Sequence, residues 1–286
     1  MIIVDLNQVM IANLMTHLAK NMTVDENLLR HMILNTIRSN RVKFHKDYGE
    51  LVIACDDRNY WRKKVFPYYK ASRKKTREDS GLDWNLIFKS LNAIRDELKE
   101  YFPYRVIQVE SAEADDIIGT LCNRFGKPLG GDPILILSGD KDFQQLQVHA
   151  NVSQYDPTRK RWITCRDPHE FLVEHILRGD TSDGVPNFLS SDDTFVSNSR
   201  QRQLRQKVVD EILSVEWPQE WSGMSEELLR NFYRNKKMID LSEIPEEIMN
   251  EVNNQYDSQT EGDRSMLFNY FIKKKLKNLV ENIGEF

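Results

Sequence analysis

Cysteine is scarce in this chain: Cys55, Cys122 and Cys165 are the only three among 286 residues. Odd in number, far apart and outside any Cys-x-x-Cys spacing, they exclude a disulfide framework and a zinc site and point to a reducing cytoplasm. Long apolar runs are missing too. The opening Met1-Ile2-Ile3-Val4 is broken at Asp5, so neither a signal peptide nor a membrane span is expected. Nor is there an excess of positive charge. With 40 Lys and Arg against 44 Asp and Glu the formal charge is -4, which argues against a basic coat protein for nucleic acid and makes any phosphate-binding surface a local one. Repeats and low-complexity tracts are absent. What is present is an ordinary globular composition, 40% hydrophobic, 29% charged and 10% aromatic, in a chain long enough to bury an ample core.

Short β-branched runs at residues 2–4, 51–55, 105–109 and 134–137 alternate with segments of helical spacing. Each run is nearly continuous in hydrophobicity, as in strands buried on both faces, so the pattern predicts an α/β fold with a central, mostly parallel sheet flanked by helices. Residues 151–156 and 160–165 flank Pro157-Thr158 and read as a hairpin at the sheet edge. Helical spacing then dominates at residues 168–178, 200–213, 225–237, 245–253 and 264–282, while the polar stretch 187–199 reads as a loop. The expected division is an α/β domain over residues 1–178 and a helical domain over 179–286.

The runs share an ending. Ile3-Val4-Asp5, Cys55-Asp56-Asp57 and Gly139-Asp140-Lys141-Asp142 all close on acids, and Glu113-Ala114-Asp115-Asp116 opens a helix just after another run. In a parallel sheet these strand ends lie along the edge where ligands of open α/β folds bind. An Asp after a strand is often only a helix cap, but recurrence at three strand ends turns the balance toward a common site. So many carboxylates together need a cation to offset their repulsion. An oxygen donor set with no Cys or His favours a hard ion, Mg²⁺ or Mn²⁺. Two such ions about 3.5 to 4 Å apart suit phosphodiester hydrolysis.

Between Arg58 and Arg77 lie nine basic residues and no acid, among them Arg62, Lys70, Arg73, Lys74 and Lys75. Trp61, Phe66, Tyr68 and Tyr69 interleave with them. Charge beside stacking surfaces suits single-stranded nucleic acid, against the plainer reading of a solvated helix with core aromatics.

Four motifs carry a family resemblance: Phe66-Pro67-Tyr68-Tyr69-Lys70-Ala71-Ser72-Arg73, Glu113-Ala114-Asp115-Asp116-Ile117-Ile118-Gly119, Ser138-Gly139-Asp140-Lys141-Asp142-Phe143 and Gly179-Asp180-Thr181-Ser182-Asp183. In content and order they resemble the flap endonuclease or 5′-nuclease family, which includes the 5′-nuclease domains of bacterial DNA polymerase I. The resemblance implies that Asp5, Asp56, Glu113, Asp115, Asp116 and Asp140 surround a first Mg²⁺, with Asp142, Asp180 and Asp183 serving a second, and that Mn²⁺ substitutes. It implies a helical arch based on Lys70 and Arg73, with Arg62 a third contact to the scissile phosphate and Tyr69, Lys74 and Lys75 touching the strand. It also implies 5′ to 3′ exonuclease, flap endonuclease and ribonuclease H activity on RNA:DNA hybrids and on duplex DNA with a 5′ flap or fork, by a monomer with no membrane attachment. A single-stranded-DNA-binding protein or a sliding clamp would be its replication partner. One departure stands out. Gly184-Val185-Pro186-Asn187 leads into a polar loop where the family has a glycine-containing helical hairpin, which removes the expectation of a monovalent ion there and leaves Arg200, Arg202, Arg205 and Lys207 as candidate duplex contacts.

Two rival readings follow from the same residues. In an inactive junction-binding replication protein the acids would persist for folding while the basic segments do the work, a reading that the intact acidic set disfavours. An aspartyl-phosphate phosphohydrolase would need a second Asp two residues after Asp5, and that position is Asn7.

Overall fold

A computed structural model describes residues 1–19, 25–197, 199–260 and 262–286. Six strands form one sheet: β1 (Ile2–Asp5), β2 (Leu51–Ala54), β3 (Arg105–Ile107), β4 (Ile134–Leu137), β5 (Val152–Asp156) and β6 (Arg161–Ile163). Their order is β3-β2-β1-β4-β5-β6. All neighbours are parallel except β5 and β6, which make the antiparallel hairpin at one edge. Every residue of β1, β2 and β4 is buried, which is why those strands read as unbroken apolar runs. The register pairs Asp5 with Ala54 and Val4 with Leu137, so the three acid-bearing strands finish level with one another.

The chain packs as two compact units, each assembled from segments that are discontinuous in sequence. One comprises Met1–Arg58, Asp83–Thr164 and Glu246–Phe286 and contains the sheet. Its helices are α1 (Leu6–Leu18), α2 (Glu26–Tyr48), α5 (Trp84–Tyr101), α6 (Ala114–Phe125), α10 (Glu246–Ser258), α11 (Leu267–Lys273) and α12 (Lys277–Val280). The other comprises Asn59–Leu82 and Cys165–Pro245, with α3 (Trp61–Val65), α4 (Ser72–Asp79), α7 (Pro168–Arg178), α8 (Gln206–Leu213) and α9 (Glu226–Ile239). No helix among the described residues is long and apolar enough to cross a membrane.

Side chains explain why the C-terminal segment joins the sheet unit and not the helical region before it. At the free edge of β3, Gln259 accepts from the Val106 amide at 2.9 Å and donates to the Val106 carbonyl at 3.1 Å. Gln255 makes the same pair of bonds with Gln108, at 3.2 and 3.0 Å. The carboxamides stand in for a missing strand and satisfy backbone groups that an edge otherwise exposes. A second tie is buried. Arg30 of α2 bonds Glu97 of α5 twice, at 2.6 and 3.0 Å, and Glu97 also accepts from Tyr270 at 2.7 Å and from Lys274. Burial alone would raise the Glu97 carboxyl, but the Arg30, Lys274 and Tyr270 bonds outweigh it and hold the group below its usual range. Glu97→Ala is expected to destabilise the protein by about 3 kcal/mol, because it removes the shared acceptor of Arg30, Tyr270 and Lys274 and leaves the buried guanidinium with the exposed Glu26 and with Asn27 as partners. Urea unfolding with an unchanged slope checks this, and a loss under about 1 kcal/mol would show the network to be solvated.

Two expected helices differ. Residues 200–205 are irregular, and α8 starts only at Gln206. The backbone there is captured by the preceding loop: Asn187 donates to the Arg202 carbonyl at 2.8 Å, and the Arg202 amide bonds Ser190 at 2.9 Å. The helix expected over 264–282 is broken between α11 and α12, where Lys275 takes a left-handed φ of 58° and its amide bonds the Ile272 carbonyl at 3.1 Å.

Candidate metal centre and phosphate-contact residues

The sheet unit carries seven of the nine candidate ligands. Asp5 ends β1 and caps α1, accepting from the Gln8 amide and from the Ser138 hydroxyl, both at 3.0 Å. Asp56, just past β2, accepts from the Ala114 amide at 2.7 Å and from the Asn7 carboxamide. That bond to Ala114 brings the start of α6 to the end of β2. Glu113 caps α6, and its own amide donates to Asp116 at 2.8 Å to close a capping box. Both are buried, Asp116 in the role of a cap that fixes Glu113, whereas Asp115 is half-buried. Asp140 caps the 3-10 helix Lys141–Val148 by accepting from the Asp142 amide at 3.0 Å. Both of these acids are half-buried.

Electrostatics ties three of these acids together. Asp5 is 6% exposed, and its carboxyl is pushed up to about 7, first by burial and then by the charges of Asp56 and Asp140. The bonds from Gln8 and Ser138 offset part of this at Asp5. A divalent cation offsets more of it, and the donors are all hard oxygens, so the residues fit Mg²⁺ or Mn²⁺.

Sequence reasoning missed the neutral shell around these acids. Gln154, fully buried on β5, donates to the carbonyls of Ser138 and Asp140 at 2.9 and 2.6 Å. Gln8 accepts from the Gly139 amide at 2.8 Å. Two carboxamides thus hold the backbone of the Asp140 loop without adding charge to a crowded negative site. Of the two, Gln8 lies near an acidic motif in sequence, three residues after Asp5, whereas Gln154 is twelve residues past Asp142.

In the second unit Asp180 is buried after α7, accepting from the Ser182 and Asp183 amides at 2.8 and 3.2 Å, with His175 Nε2 3.3 Å from its other oxygen. An imidazole was not expected beside these acids. The turn is held by Gly179 and Gly184 at φ 68° and 74°; a Cβ on Gly184 would meet the Tyr68 carbonyl at 2.9 Å. Asp183 faces the basic segment. It accepts from Tyr69 at 2.9 Å and from Arg73 at 2.6 Å, its carbonyl accepts from the Lys70 amide at 2.7 Å, and Lys70 Nζ lies 3.5 Å from its carboxylate. The expected second-ion ligand and the expected phosphate contacts are therefore partners of one another in this structure.

Two residues of the basic segment expected at the nucleic acid are buried. Arg62 is 2% exposed, with Nε on the Met238 carbonyl at 2.9 Å and its guanidinium over Trp61, so it packs within its unit. Tyr69 is also 2% exposed and offers no stacking face. Trp61 and Phe66 are buried likewise, with Lys237 and Arg234 of α9 lying 5.5 and 5.7 Å from their rings. Only Tyr68 of the four interleaved aromatics is half-buried. Lys74 and Lys75 on α4 are exposed, as are Arg200, Arg202, Arg205 and Lys207.

A parallel sheet whose strand ends carry convergent carboxylates, with lysine and arginine presented on a separate segment, defines the class of metal-dependent phosphodiesterases. Comparison with known proteins narrows it. Residues 2–174 match the family described as 5′-3′ exonuclease, N-terminal resolvase-like domain, and residues 169–286 match the C-terminal domain of T4 RNase H. The chain is 32% identical to the ribonuclease H of Enterobacteria phage T4, over 99% of this chain and 95% of that protein. It is 29% identical to the flap endonuclease Xni of Shewanella sp. (strain MR-4), covering 51% of this chain and 54% of the relative. Among solved structures, a phage T5 flap endonuclease complex with DNA and metal ions superposes with TM-score 0.60 at 16% identity, covering 90% of this chain and 97% of that one. The chain belongs to the 5′-3′ exonuclease family of nucleases.

Proposed function

We propose that this nuclease removes RNA primers and 5′ flaps during DNA replication, hydrolysing phosphodiesters with two Mg²⁺ ions, for which Mn²⁺ substitutes. The observation that carries the reading is the convergence of acids at one edge of the sheet: Asp5 and Asp56 at the level ends of β1 and β2, and Asp140 on the loop after β4. Asp5, Asp56, Glu113, Asp115, Asp116 and Asp140 would hold the first ion. Asp142, Asp180 and Asp183 are proposed for the second on the strength of the motif resemblance. When bound, such ions supply a hydroxide nucleophile near neutral pH and stabilise the leaving oxygen. Lys70 and Arg73 bind the scissile phosphate and offset the charge that grows on it. Lys74 and Lys75 contact the cleaved strand, and Arg200, Arg202, Arg205 and Lys207 meet duplex phosphates, adding a salt-dependent affinity. The names of the phage T4 and Shewanella relatives, a ribonuclease H and a flap endonuclease, support both substrate types.

Action as a monomer in the cytoplasm, the host's if the chain is phage-encoded, belongs to the same proposal. So does a division at residue 178, near which the two family matches meet, and a replication partner, either a single-stranded-DNA-binding protein or a sliding clamp. A 5′-labelled RNA:DNA hybrid incubated with protein and Mg²⁺ is expected to release short labelled products. Both EDTA and Asp140→Asn should abolish release; products that persist in either case would sink the metal-dependent reading.

A further inference from the structure

The turn that joins β5 to β6 carries a cluster for which the chemistry above has no use. In Asp156-Pro157-Thr158-Arg159-Lys160-Arg161-Trp162, three consecutive cations and a tryptophan are exposed, Trp162 to 49%. Because β5 runs parallel to β4 as its neighbour, the turn leaves the sheet at the same edge as the Ser138-Gly139-Asp140 loop. The coupling is closer than adjacency. A Cβ on Gly139 would come within 2.8 Å of Asp156 Oδ2, while Asp156 Oδ1 accepts from the Thr158 and Arg159 amides, each at 2.9 Å. One buried carboxylate thereby sets the basic turn against the loop that carries Asp140.

The charges on this turn are available. Arg159 Nε lies 3.9 Å from Asp156, and no carboxylate among the described residues lies within ion-pair distance of Lys160 or Arg161. Lys160 takes a left-handed φ of 54°, a conformation that favours glycine or asparagine over lysine. Trp162 is braced edgewise by Phe44 and Tyr155, with ring centroids 5.6 and 5.3 Å away, and Lys43 bonds the Tyr155 hydroxyl at 2.7 Å behind them. Charges on an edge strand also discourage strand pairing between molecules. That accounts for Arg161 on β6 but not for cations in the turn itself, nor for a braced, half-exposed indole.

We propose that this hairpin binds the unpaired strand of the nucleic-acid substrate, Trp162 stacking on a base while Arg159, Lys160 and Arg161 meet phosphates. The proposal rests on the nuclease reading for the path of the substrate along the carboxylate edge. Binding of the full-length protein to a 5′-flapped duplex and to the same duplex without a flap, followed by fluorescence anisotropy in EDTA over a range of salt, tests it apart from cleavage. The variant Arg159→Ala/Lys160→Asn/Arg161→Ala keeps the turn, since asparagine suits the left-handed position. It is expected to weaken flap binding about tenfold and to flatten the logarithmic salt dependence by about 2, roughly 0.7 for each of three single-strand phosphates. Trp162→Leu, which keeps an apolar contact with Phe44 and Tyr155, should weaken it at least about fivefold, the low end for a lost stack. The unflapped duplex should change less than about twofold. Unchanged flap affinity and slope, an equal loss on the unflapped duplex, or a wild-type protein with no preference for the flap would each overturn the assignment. Failure of the nuclease reading would appear instead in the Asp140→Asn cleavage assay, which these measurements do not involve.

Discussion

Asp5→Asn is expected to reduce turnover by about a thousandfold or more while making the metal-free protein more stable. A divalent ion contributes several kcal/mol of charge stabilisation in such sites, and each 1.36 kcal/mol is a factor of ten. Asparagine keeps the structural bonds of this residue: its oxygen still accepts from the Gln8 amide, and its amide nitrogen donates to the Ser138 hydroxyl, which rotates to receive it. What it removes is a buried negative charge facing Asp56 and Asp140. The pH dependence has a definite sign. The folded carboxyl titrates near 7 and the unfolded one near 3.8, so between those values the folded state holds more protons and stability falls as pH rises. Thermal melts in EDTA should show that decline from about pH 4 to pH 7 in the wild type and a smaller one in Asp5→Asn. A variant less stable than wild type at pH 7 without metal would contradict the repulsive role. Saturating Mg²⁺ should reverse the order of stabilities, because binding to the native state alone stabilises it.

Much of this centre was legible because buried parallel strands impose long apolar runs, and an acid closing such a run is conspicuous. β1, β2 and β4 could be placed that way, and with them Asp5, Asp56 and Asp140. The shell behind them was not legible. Gln8, Gln154, Gln255 and Gln259 act through carboxamides bonded to backbone groups far away in sequence, and glutamine at those positions resembles glutamine on any surface. His175 was missed for the same reason: a histidine in the last turn of a helix reads as a partner of the helix dipole. The basic segment misled in the opposite direction. α3 is five residues long, too short for periodicity to show which side is buried, and Tyr69 lies in the turn after it, where no period applies, so Arg62 and Tyr69 read as surface when they are buried. Residues 200–205 read as helix because their spacing allowed it, and side chains of the 187–190 loop held them out of it.

Lys70→Asn is expected to lower kcat about a hundred- to a thousandfold with KM nearly unchanged, the scale seen when one preorganised donor to a developing charge is removed. Preorganisation is visible in the surroundings of the ammonium. Its side chain is largely enclosed, Nζ lies 3.5 Å from Asp183 and close to two rings, 4.9 Å from that of Tyr69 and 5.4 Å from that of Tyr60. Asparagine is the informative replacement because Lys70 sits at a left-handed φ of 54°, and Lys70→Ala would combine loss of charge with backbone strain there. Single-turnover cleavage of a 5′-flapped duplex separates the two: equal losses in both variants assign the effect to the charge, and a loss confined to Lys70→Ala assigns it to the backbone. Asp183→Asn supplies the complementary reading, since it frees Lys70 and Arg73 from their carboxylate while leaving an acceptor for Tyr69. If Asp183 serves mainly to aim those two cations, this variant should lose kcat with little change in the Mg²⁺ concentration needed for half-maximal rate. If it serves mainly as an ion ligand, the Mg²⁺ requirement should rise by tenfold or more, about the change in affinity that a lost interaction of roughly 1.4 kcal/mol produces.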